Sequence, residues 1–157
     1  MNSRITVRVA TLSDIDLITD FNCAMAGETE GRALDRSTVS RGVRAVVENQ
    51  RLGVYYVAAS EGTVVGQMMI TYEWSDWRCG LFWWIQSVYV APAARGAGAY
   101  RALHQHVESL ARSTPGVCGI RLYVEAENTA AQRVYEKLGM SRTSYQLYEA
   151  DWPAKPA

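Results

Sequence analysis

Apolar residues that alternate with polar ones, or that follow one another in short runs, predict six strands along this chain. The run Leu81–Val90 is almost entirely apolar, which is typical of a strand that is buried on both faces. The pair Glu61-Gly62 separates two other runs and predicts the tight turn of a hairpin. The predicted strands are Ile5–Val9, Val54–Ala59, Thr63–Trp74, Leu81–Val90, Val117–Val124 and Thr143–Glu149.

Apolar residues at helical spacing predict four helices between these strands. Ser13, with Asp16 three residues later, resembles an acidic variant of a capping box and predicts a helix from there to about Ala26. Asn128 is a good N-cap for the last helix, and Gly139 stands where a helix usually ends. The predicted helices are Ser13–Ala26, Arg36–Asn49, Arg95–Arg112 and Thr129–Leu138.

The order of these elements, β-α-α-β-β-β-α-β-α-β, places hairpin strands at the front of the chain and crossover units at the back. This order predicts an α/β fold with a mixed sheet that carries helices on both faces. A chain of 157 residues usually forms one domain. We therefore expect a single domain over residues 1–150 and a C-terminal tail over residues 151–157.

The charges of the chain balance, because it has 16 basic and 16 acidic residues. This balance gives no basic field that would favour nucleic acid as a partner. No apolar run approaches the roughly 20 residues that cross a membrane, and the N-terminal MNSRITVRVA lacks the apolar stretch of a secretory signal. We expect a cytoplasmic protein that binds neither nucleic acid nor membrane.

Cysteine and histidine are too few and too scattered to indicate a metal site. Cys23, Cys79 and Cys118 form no closely spaced pair, which fits a reducing compartment and predicts small, partly buried side chains. His104 and His106 lie two residues apart, so they point in different directions on a helix. His106 falls near the apolar stripe of that helix and His104 off it. We interpret both as structural and expect no metal.

A small-residue loop follows the longest predicted strand. Arg95, Gly96, Ala97 and Gly98 lie where this loop becomes a helix. Small residues let backbone N–H groups approach a ligand, and a helix N-terminus favours negative charge, so the predicted ligand carries phosphate. A dinucleotide-binding GxGxxG would follow the first strand, and a P-loop would need a lysine after Gly98, so neither motif fits.

Two stretches of the chain resemble motifs of the GCN5-related N-acetyltransferase superfamily. The loop resembles the family's pattern of Arg or Gln, two residues, Gly, one residue, then Gly or Ala. Tyr100 departs from this pattern, because a small residue usually stands last. The matching residues are Arg95, Gly96, Ala97, Gly98 and Ala99 in the loop, and Asn128, Ala131, Tyr135 and Leu138-Gly139-Met140 downstream.

The resemblance implies a mostly antiparallel central sheet of about six to seven strands, whose fourth strand ends in a bulge and splays from the fifth. It implies that acetyl-CoA is the acyl donor, with its pantetheine in this wedge as an extra strand and its pyrophosphate on the loop N–H groups. The residues that it assigns to acetyl-CoA are Val88, Tyr89, Val90, Arg95, Gly96, Ala97, Gly98, Ala99, Tyr100, Asn128, Ala131 and Tyr135.

The reaction that the resemblance implies is transfer of the acetyl group to a primary amine by direct attack in a ternary complex. The Val88 N–H is the natural donor to the developing oxyanion. Tyr135 is implied as the acid that protonates the leaving thiolate, although its spacing fits a core tyrosine nearly as well. Asn128 is implied as a pantetheine ligand, although a helix cap alone also explains it.

The general base stays open, because the fourth strand carries no acid. Glu28, in the predicted loop between the first two helices, and Glu73 are the candidates, either as bases or as anions that bind a cationic amine. Solvated surface charges are an equally good interpretation. Trp77, Trp84 and Gln86 are further candidate substrate contacts. The tryptophans between residues 74 and 84 form either an aromatic wall around a cation or part of the core.

These observations favour an N-acetyltransferase that acts on a small cationic or amino-acid-like amine, because bulky tryptophans favour an enclosed pocket. Acetylation of a protein N-terminus or lysine, which needs an open groove, is the alternative. A non-catalytic acyl-CoA-binding module is a third hypothesis, and Tyr135 argues against it. Homodimers are common in the family, so a homodimer is a further expectation by analogy.

Overall fold

The computed structural model describes residues 5–154, which form two compact units divided between Leu122 and Tyr123. In the described part of the first unit, five strands and three helices follow one another. The strands are β1 Ile5–Val9, β2 Val54–Ser60, β3 Thr63–Ser75, β4 Gly80–Val90 and β5 Val117–Arg121. The helices are α1 Ile15–Glu30, α2 Arg36–Glu48 and α3 Ala99–Ser113.

The strands form one mixed sheet in the order β1-β2-β3-β4-β5. The first four strands pair antiparallel, and β5 pairs parallel with β4. This arrangement confirms the predicted mixed, mostly antiparallel fold. The expected number of about six to seven strands is wrong for residues 5–154, because their sheet has five.

Helices cover both faces of this sheet, as predicted. One face packs against α3 in a cluster that includes Ile70 and Trp83, and we call it the α3 face. The other packs against α1 and α2 in a cluster that includes Tyr55 and Val57, and we call it the α1 face. Side chains alternate between the two faces along each strand, so a strand can present apolar residues to one helix layer and polar residues to the other.

The first helix has different ends from those predicted. Its capping box joins Thr11 to Asp14 across a short 3-10 turn, rather than Ser13 to Asp16, because Asp14 accepts a bond from the Thr11 amide at 2.7 Å. The helix passes the glycine at position 27 and ends at Gly31, which takes a left-handed φ of 62°. Glu28 therefore lies on the last turn of α1 and not in a loop.

Two predictions about individual side chains were also wrong. His104, not His106, is the buried histidine of α3, at 2% exposure, because the buried stripe of that helix runs through Leu103, His104 and Val107. Cys79 and Cys118 are exposed rather than partly buried. No helix within residues 5–154 is both long enough and apolar enough to cross a membrane.

The second unit contains one helix within its described residues, α4 Thr129–Lys137. The Asn128 side chain caps it by accepting a bond from the Ala131 amide at 3.1 Å. The strand predicted over Thr143–Glu149 is wrong, since this segment is irregular and exposes Tyr145 and Tyr148. Alternating residues make a strand only where a neighbouring strand offers hydrogen-bond partners.

Candidate active site

One edge of β4 is left open on the side of β5. β5 pairs with β4 only between Leu81 and Trp84, whereas β3 continues to pair with β4 as far as Val90. The stretch Ile85–Val90 therefore has no strand neighbour on that side within the described sheet. The predicted splay between the fourth and fifth strands is confirmed. Such an edge can bind an extended ligand through main-chain hydrogen bonds.

A β-bulge lies within this open stretch. Two residues of β4, Ser87 and Val88, face the single residue Met68 of β3, because the register between the strands shifts there. Ser87 has a φ of 48°, in the left-handed region that a serine seldom occupies. The bulge that the family resemblance implied is therefore at Ser87 and Val88.

The bulge changes which face each later side chain of β4 meets. Val88 and Val90 pack against the α3-face core. Tyr89 turns to the other face, where its ring lies 5.1 Å from that of Phe21 in α1. As a result, the Tyr89 side chain at the end of β4 faces α1. The backbone groups along the open edge of β4 are not covered by a strand of the described sheet.

The small-residue loop is less helical than predicted. A 3-10 turn at Pro92–Ala94 precedes it, and α3 begins at Ala99 rather than at Arg95. Gly96 and Gly98 have φ values of 80° and 92°, which favour glycine over any other residue. A Cβ at either position would meet no described atom within 4 Å. The conformation, not crowding, requires glycine here, and the loop keeps an open surface.

Tyr100 follows this loop without covering it. Its ring packs at the α3-face core and lies 6.0 Å from the ring of His104. The ring therefore points into the protein, which resolves the departure from the family pattern: a large side chain is accommodated on the inner side of the first helical turn. Arg101, the next residue along the helix, is exposed.

Arg95 joins the loop to α1. Its Nη2 donates to Glu28 Oε2 at 2.6 Å, and its Nε donates to the Val90 carbonyl at 3.0 Å. The guanidinium also lies 5.5 Å from the centre of the Tyr89 ring. A phosphate at the loop would therefore compete with Glu28 for this arginine.

Glu28 is held as an anion by two neighbours. Arg95 lowers the pKa of its carboxyl most, and the Tyr89 hydroxyl, which donates to Oε1 at 2.8 Å, lowers it further. A carboxylate with a lowered pKa stays ionised at neutral pH and is a weak base. Its chemistry therefore suits attraction of a cation better than removal of a proton.

Glu73 has polar partners of its own near the end of β3, on strands β4 and β5. Trp84 donates its indole N–H to Glu73 Oε2 at 2.9 Å, and Arg121 of β5 donates to Oε1. Nearby, the Gln86 amide donates to the hydroxyl of Thr71. Glu73, Trp84 and Gln86 thus lie together on neighbouring strands, as a shared substrate surface would require.

The tryptophans separate into different environments. Trp83 is buried in the α3-face core, and Trp84 is bound to Glu73. Trp74 and Trp77 are 60% and 91% exposed near the tip of the β3–β4 hairpin. Only Trp84 is therefore brought to a candidate carboxylate, and the four do not form one wall.

The second unit carries the three downstream residues that the resemblance assigns to acetyl-CoA. The Oδ1 atom of Asn128 is engaged in capping α4, and Ala131 supplies the amide that it accepts from. Burial raises the pKa of the Tyr135 phenol. Tyr135 therefore keeps its proton throughout the neutral pH range, as a general acid must.

A buried polar cluster next to the bulge escaped the sequence prediction. Gln67, Asn22 and Tyr55 are all buried, and Gln67 is fully so. Their side chains are hydrogen-bonded in a chain that ends at the carbonyl of Ser87. The signal in the sequence was a lone glutamine within the apolar run of β3.

Comparison with known proteins places this chain in a family. A model of the acetyltransferase (GNAT) family matches residues 23–140. No curated protein sequence matches the chain.

Solved structures share the fold over nearly the whole chain. A possible acetyltransferase from Clostridium difficile 630 is 41% identical, with a TM-score of 0.88 and coverage of 96% of this chain and 99% of the other. A predicted acetyltransferase with acetyl-CoA from Clostridium acetobutylicum is 19% identical, with a TM-score of 0.75 and coverage of 94% and 96%. A ribosomal-protein-alanine N-acetyltransferase from Brucella melitensis biovar Abortus 2308 is 13% identical, with a TM-score of 0.76 and coverage of 96% and 100%.

Proposed function

Because the chain belongs to the acetyltransferase (GNAT) family, we propose that it transfers an acetyl group from acetyl-CoA to the primary amine of a small cationic or amino-acid-like molecule. The observation that carries this proposal is the continuous stretch Ile85–Ala99. It combines an open strand edge, a bulge and a loop with two left-handed glycines. An extended amide chain that ends in a pyrophosphate is the kind of ligand that such a stretch fits.

The donor site uses mainly backbone groups. Val88, Tyr89 and Val90 would pair with the amides of pantetheine along the open edge, and the N–H groups from Arg95 to Tyr100 would hold the pyrophosphate. Bound acetyl-CoA would supply an activated acetyl group as a thioester. In the second unit, Asn128 and Ala131 are proposed as further contacts on the strength of the family motif.

Two groups of the chain would act on the reacting atoms. The Val88 N–H would donate a hydrogen bond to the carbonyl oxygen as negative charge develops there. Tyr135 would give its proton to the departing sulfur, a role that rests on the family motif and on the phenol being protonated at neutral pH. A thiol has a pKa of about 8.5, so its thiolate is a fair leaving group and an acid assists its departure only modestly.

The acceptor amine must lose a proton before it attacks, because an alkylamine with a pKa of about 10.4 is almost fully protonated at neutral pH. Glu28, which contacts Tyr89 at the end of β4, and Glu73, which lies opposite Phe82 near its start, are two separate positions that could attract the cationic form. The lowered pKa of Glu28 supports this role over that of a general base. Water is therefore the proposed proton acceptor. Trp84 and Gln86 would line the surface around Glu73, whereas the exposed Trp77 is left out of it.

Location and assembly remain predictions. Three cysteines without a disulfide fit the reducing cytoplasm, and a homodimer rests on the family analogy alone.

A screen of thiol release from acetyl-CoA tests the proposed function. Small diamines and amino-acid amides should accelerate release, whereas short peptides with a free N-terminus or a lysine should not. Acceleration by peptides alone would replace the proposal with protein acetylation. No acceleration by any acceptor, despite binding of acetyl-CoA, would leave a non-catalytic acyl-CoA-binding module.

A further inference from the structure

Gln67 is an unusual residue for the position that it occupies. It lies in the middle of β3, is 0% exposed, and follows Val65 and Gly66 in a strand that continues with Met68, Met69 and Ile70. A buried amide must find partners for its polar atoms, or it costs more than an apolar side chain of the same size.

The amide nitrogen of Gln67 has two such partners. It donates to the carbonyl of Ser87 at 3.2 Å and to Asn22 Oδ1 at 2.7 Å. Asn22 in turn donates through Nδ2 to the Tyr55 hydroxyl at 3.1 Å. Because both partners of the glutamine nitrogen are acceptors, the orientation of the amide is fixed.

The amide oxygen of Gln67, in contrast, has no hydrogen-bond partner within residues 5–154 although it is buried. Both hydrogen bonds described for this amide are made by its nitrogen, and the bond to Ser87 joins that nitrogen to the bulge.

The Ser87 carbonyl and the Val88 N–H belong to one peptide unit, which is planar and trans. In a trans peptide the two groups point in opposite directions. A donor that fixes the carbonyl therefore also fixes the direction of the N–H. Hydrogen bonding to the carbonyl also polarises the unit, which makes the N–H a stronger donor.

The bulge needs such support, because Ser87 holds a left-handed φ of 48° without being glycine. Hydrogen bonds to β5 cannot hold this part of β4, since the pairing of β4 with β5 ends at Trp84. Gln67 reaches the strained peptide from the neighbouring strand, on the side opposite to the open edge.

We propose that Gln67 is a positioning residue, whose buried amide holds the Ser87–Val88 peptide so that the Val88 N–H faces the reacting carbonyl. The inference rests on the proposed function, in which that N–H stabilises the oxyanion. It adds Gln67 of β3 to the two groups proposed to act on the reacting atoms. Gln67 itself would touch neither acetyl-CoA nor the acceptor.

The test compares two variants that each remove a fully buried polar side chain, one at the bulge and one away from it. Gln67→Met keeps the volume but removes the donor, so kcat should fall at least about tenfold, while the dissociation constant for acetyl-CoA changes less than about threefold. Hydrogen exchange of the peptide that covers Gln86–Val90 should quicken in the protein without acetyl-CoA. Thr19→Val is the control, because Thr19 is also 0% exposed but donates to the Ile15 carbonyl within α1; it should lower the melting temperature and leave kcat and exchange near those of the wild type.

Rescue separates positioning from general stability. Ser87→Gly in the Gln67→Met background removes the left-handed penalty at the bulge, so it should restore part of kcat and slow the exchange again. If Gln67→Met does not fold, Gln67→Asn replaces it. This side chain keeps an amide beside Asn22 but is one methylene too short to reach Ser87, so the same losses are expected.

Unchanged kcat and unchanged exchange in Gln67→Met would overturn the inference, as would an equal loss of kcat in Thr19→Val. Failure of the proposed function looks different, because the wild-type protein itself would then show no acceptor-dependent thiol release. The exchange measurement needs neither acetyl-CoA nor turnover, so it reports on the bulge in either case.

Discussion

The proposed donor and acceptor sites of this protein differ in the groups that would make the contacts. The donor side is the open edge Ile85–Val90 followed by the glycine loop, and its proposed contacts are backbone groups. The proposed acceptor contacts are side chains, and each of the two carboxylates among them is paired with an arginine: Glu28 with Arg95, and Glu73 with Arg121. A backbone site tolerates exchange of its side chains, whereas a side-chain site changes its specificity with every substitution.

The difference also predicts which proposed contacts depend on the side chains of this protein. Strand ends and helix starts keep their N–H groups whatever the side chains are, as Tyr100 shows by packing into the core beside the loop. Glu28 and Glu73, in contrast, depend on which cations lie next to them. Arg95 belongs to both sides, since it contacts the end of β4 and the carboxylate of Glu28.

The largest expected effect is a loss of turnover with an unchanged affinity for acetyl-CoA. If the donor is held mainly by backbone groups, Tyr135→Phe should lower kcat by about 100-fold, because the leaving thiolate loses its acid, and should spare the affinity for acetyl-CoA. Single-turnover kinetics and calorimetric titration measure the two effects. Loss of affinity with an unchanged rate at saturation would make Tyr135 a structural or binding residue.

A pair of glycines tests the backbone loop. Gly96→Ala and Gly116→Ala introduce the same strain, since both glycines have a φ of 80° and neither Cβ would meet a described atom within 4 Å. Each should cost about 1 kcal/mol of stability. Only Gly96→Ala should also weaken acetyl-CoA binding, by about tenfold, because Gly116 lies in the turn before β5. Equal affinities in a titration of the two variants would remove the loop from the donor site.

Charge removal tests the acceptor side. Glu28→Gln and Glu73→Gln should each raise the KM for a cationic amine by about fivefold, as expected for partly exposed charge pairs, and leave the KM for a neutral acceptor unchanged. Glu48→Gln is the control, because Glu48 is also paired with an arginine, at 3.3 Å, but lies on α2. If neither Glu28→Gln nor Glu73→Gln changes the KM for the cationic amine, the acceptor binds elsewhere.

The smallest expected effect concerns the support beneath the donor loop. Burial lowers the pKa of His104 below the usual value of about 6.5, and Glu108, 3.8 Å away, offsets part of this change. The unfolded chain therefore binds the proton more readily, so stability is complete above the unfolded pKa and declines as the pH falls through it. Melting temperatures between about pH 7.5 and 5.5 should fall more in the wild type than in His104→Leu. Parallel curves would show that His104 does not titrate on unfolding.

The sequence predicted the parts of the fold that depend on local chemistry. Leu81–Val90 was recognised as a buried strand from its apolar run, and the loop after it from Gly96 and Gly98. The bulge at Ser87 has no such local signal, since it depends on how β3 and β4 pair. It was expected only through the resemblance to the family.

The acceptor side could be predicted only as a set of residue types. Glu28 was chosen because its predicted loop lines the acceptor side in the family, and Glu73 because it stands near the end of the third predicted strand. Their arginine partners lie 67 and 48 residues away along the chain. Trp77 was grouped with Trp84 because the two are close in sequence, whereas the hairpin separates the turn from the sheet. Gln67 was missed because its meaning depends on the strained peptide beside it.

The most direct test of the donor site is a thermal shift measured with acetyl-CoA and, at the same concentration, with adenosine. Acetyl-CoA can use both the open edge and the loop, so it should raise the melting temperature markedly more than adenosine does. Equal shifts would contradict the proposal that Ile85–Ala99 binds the pantetheine and pyrophosphate of acetyl-CoA.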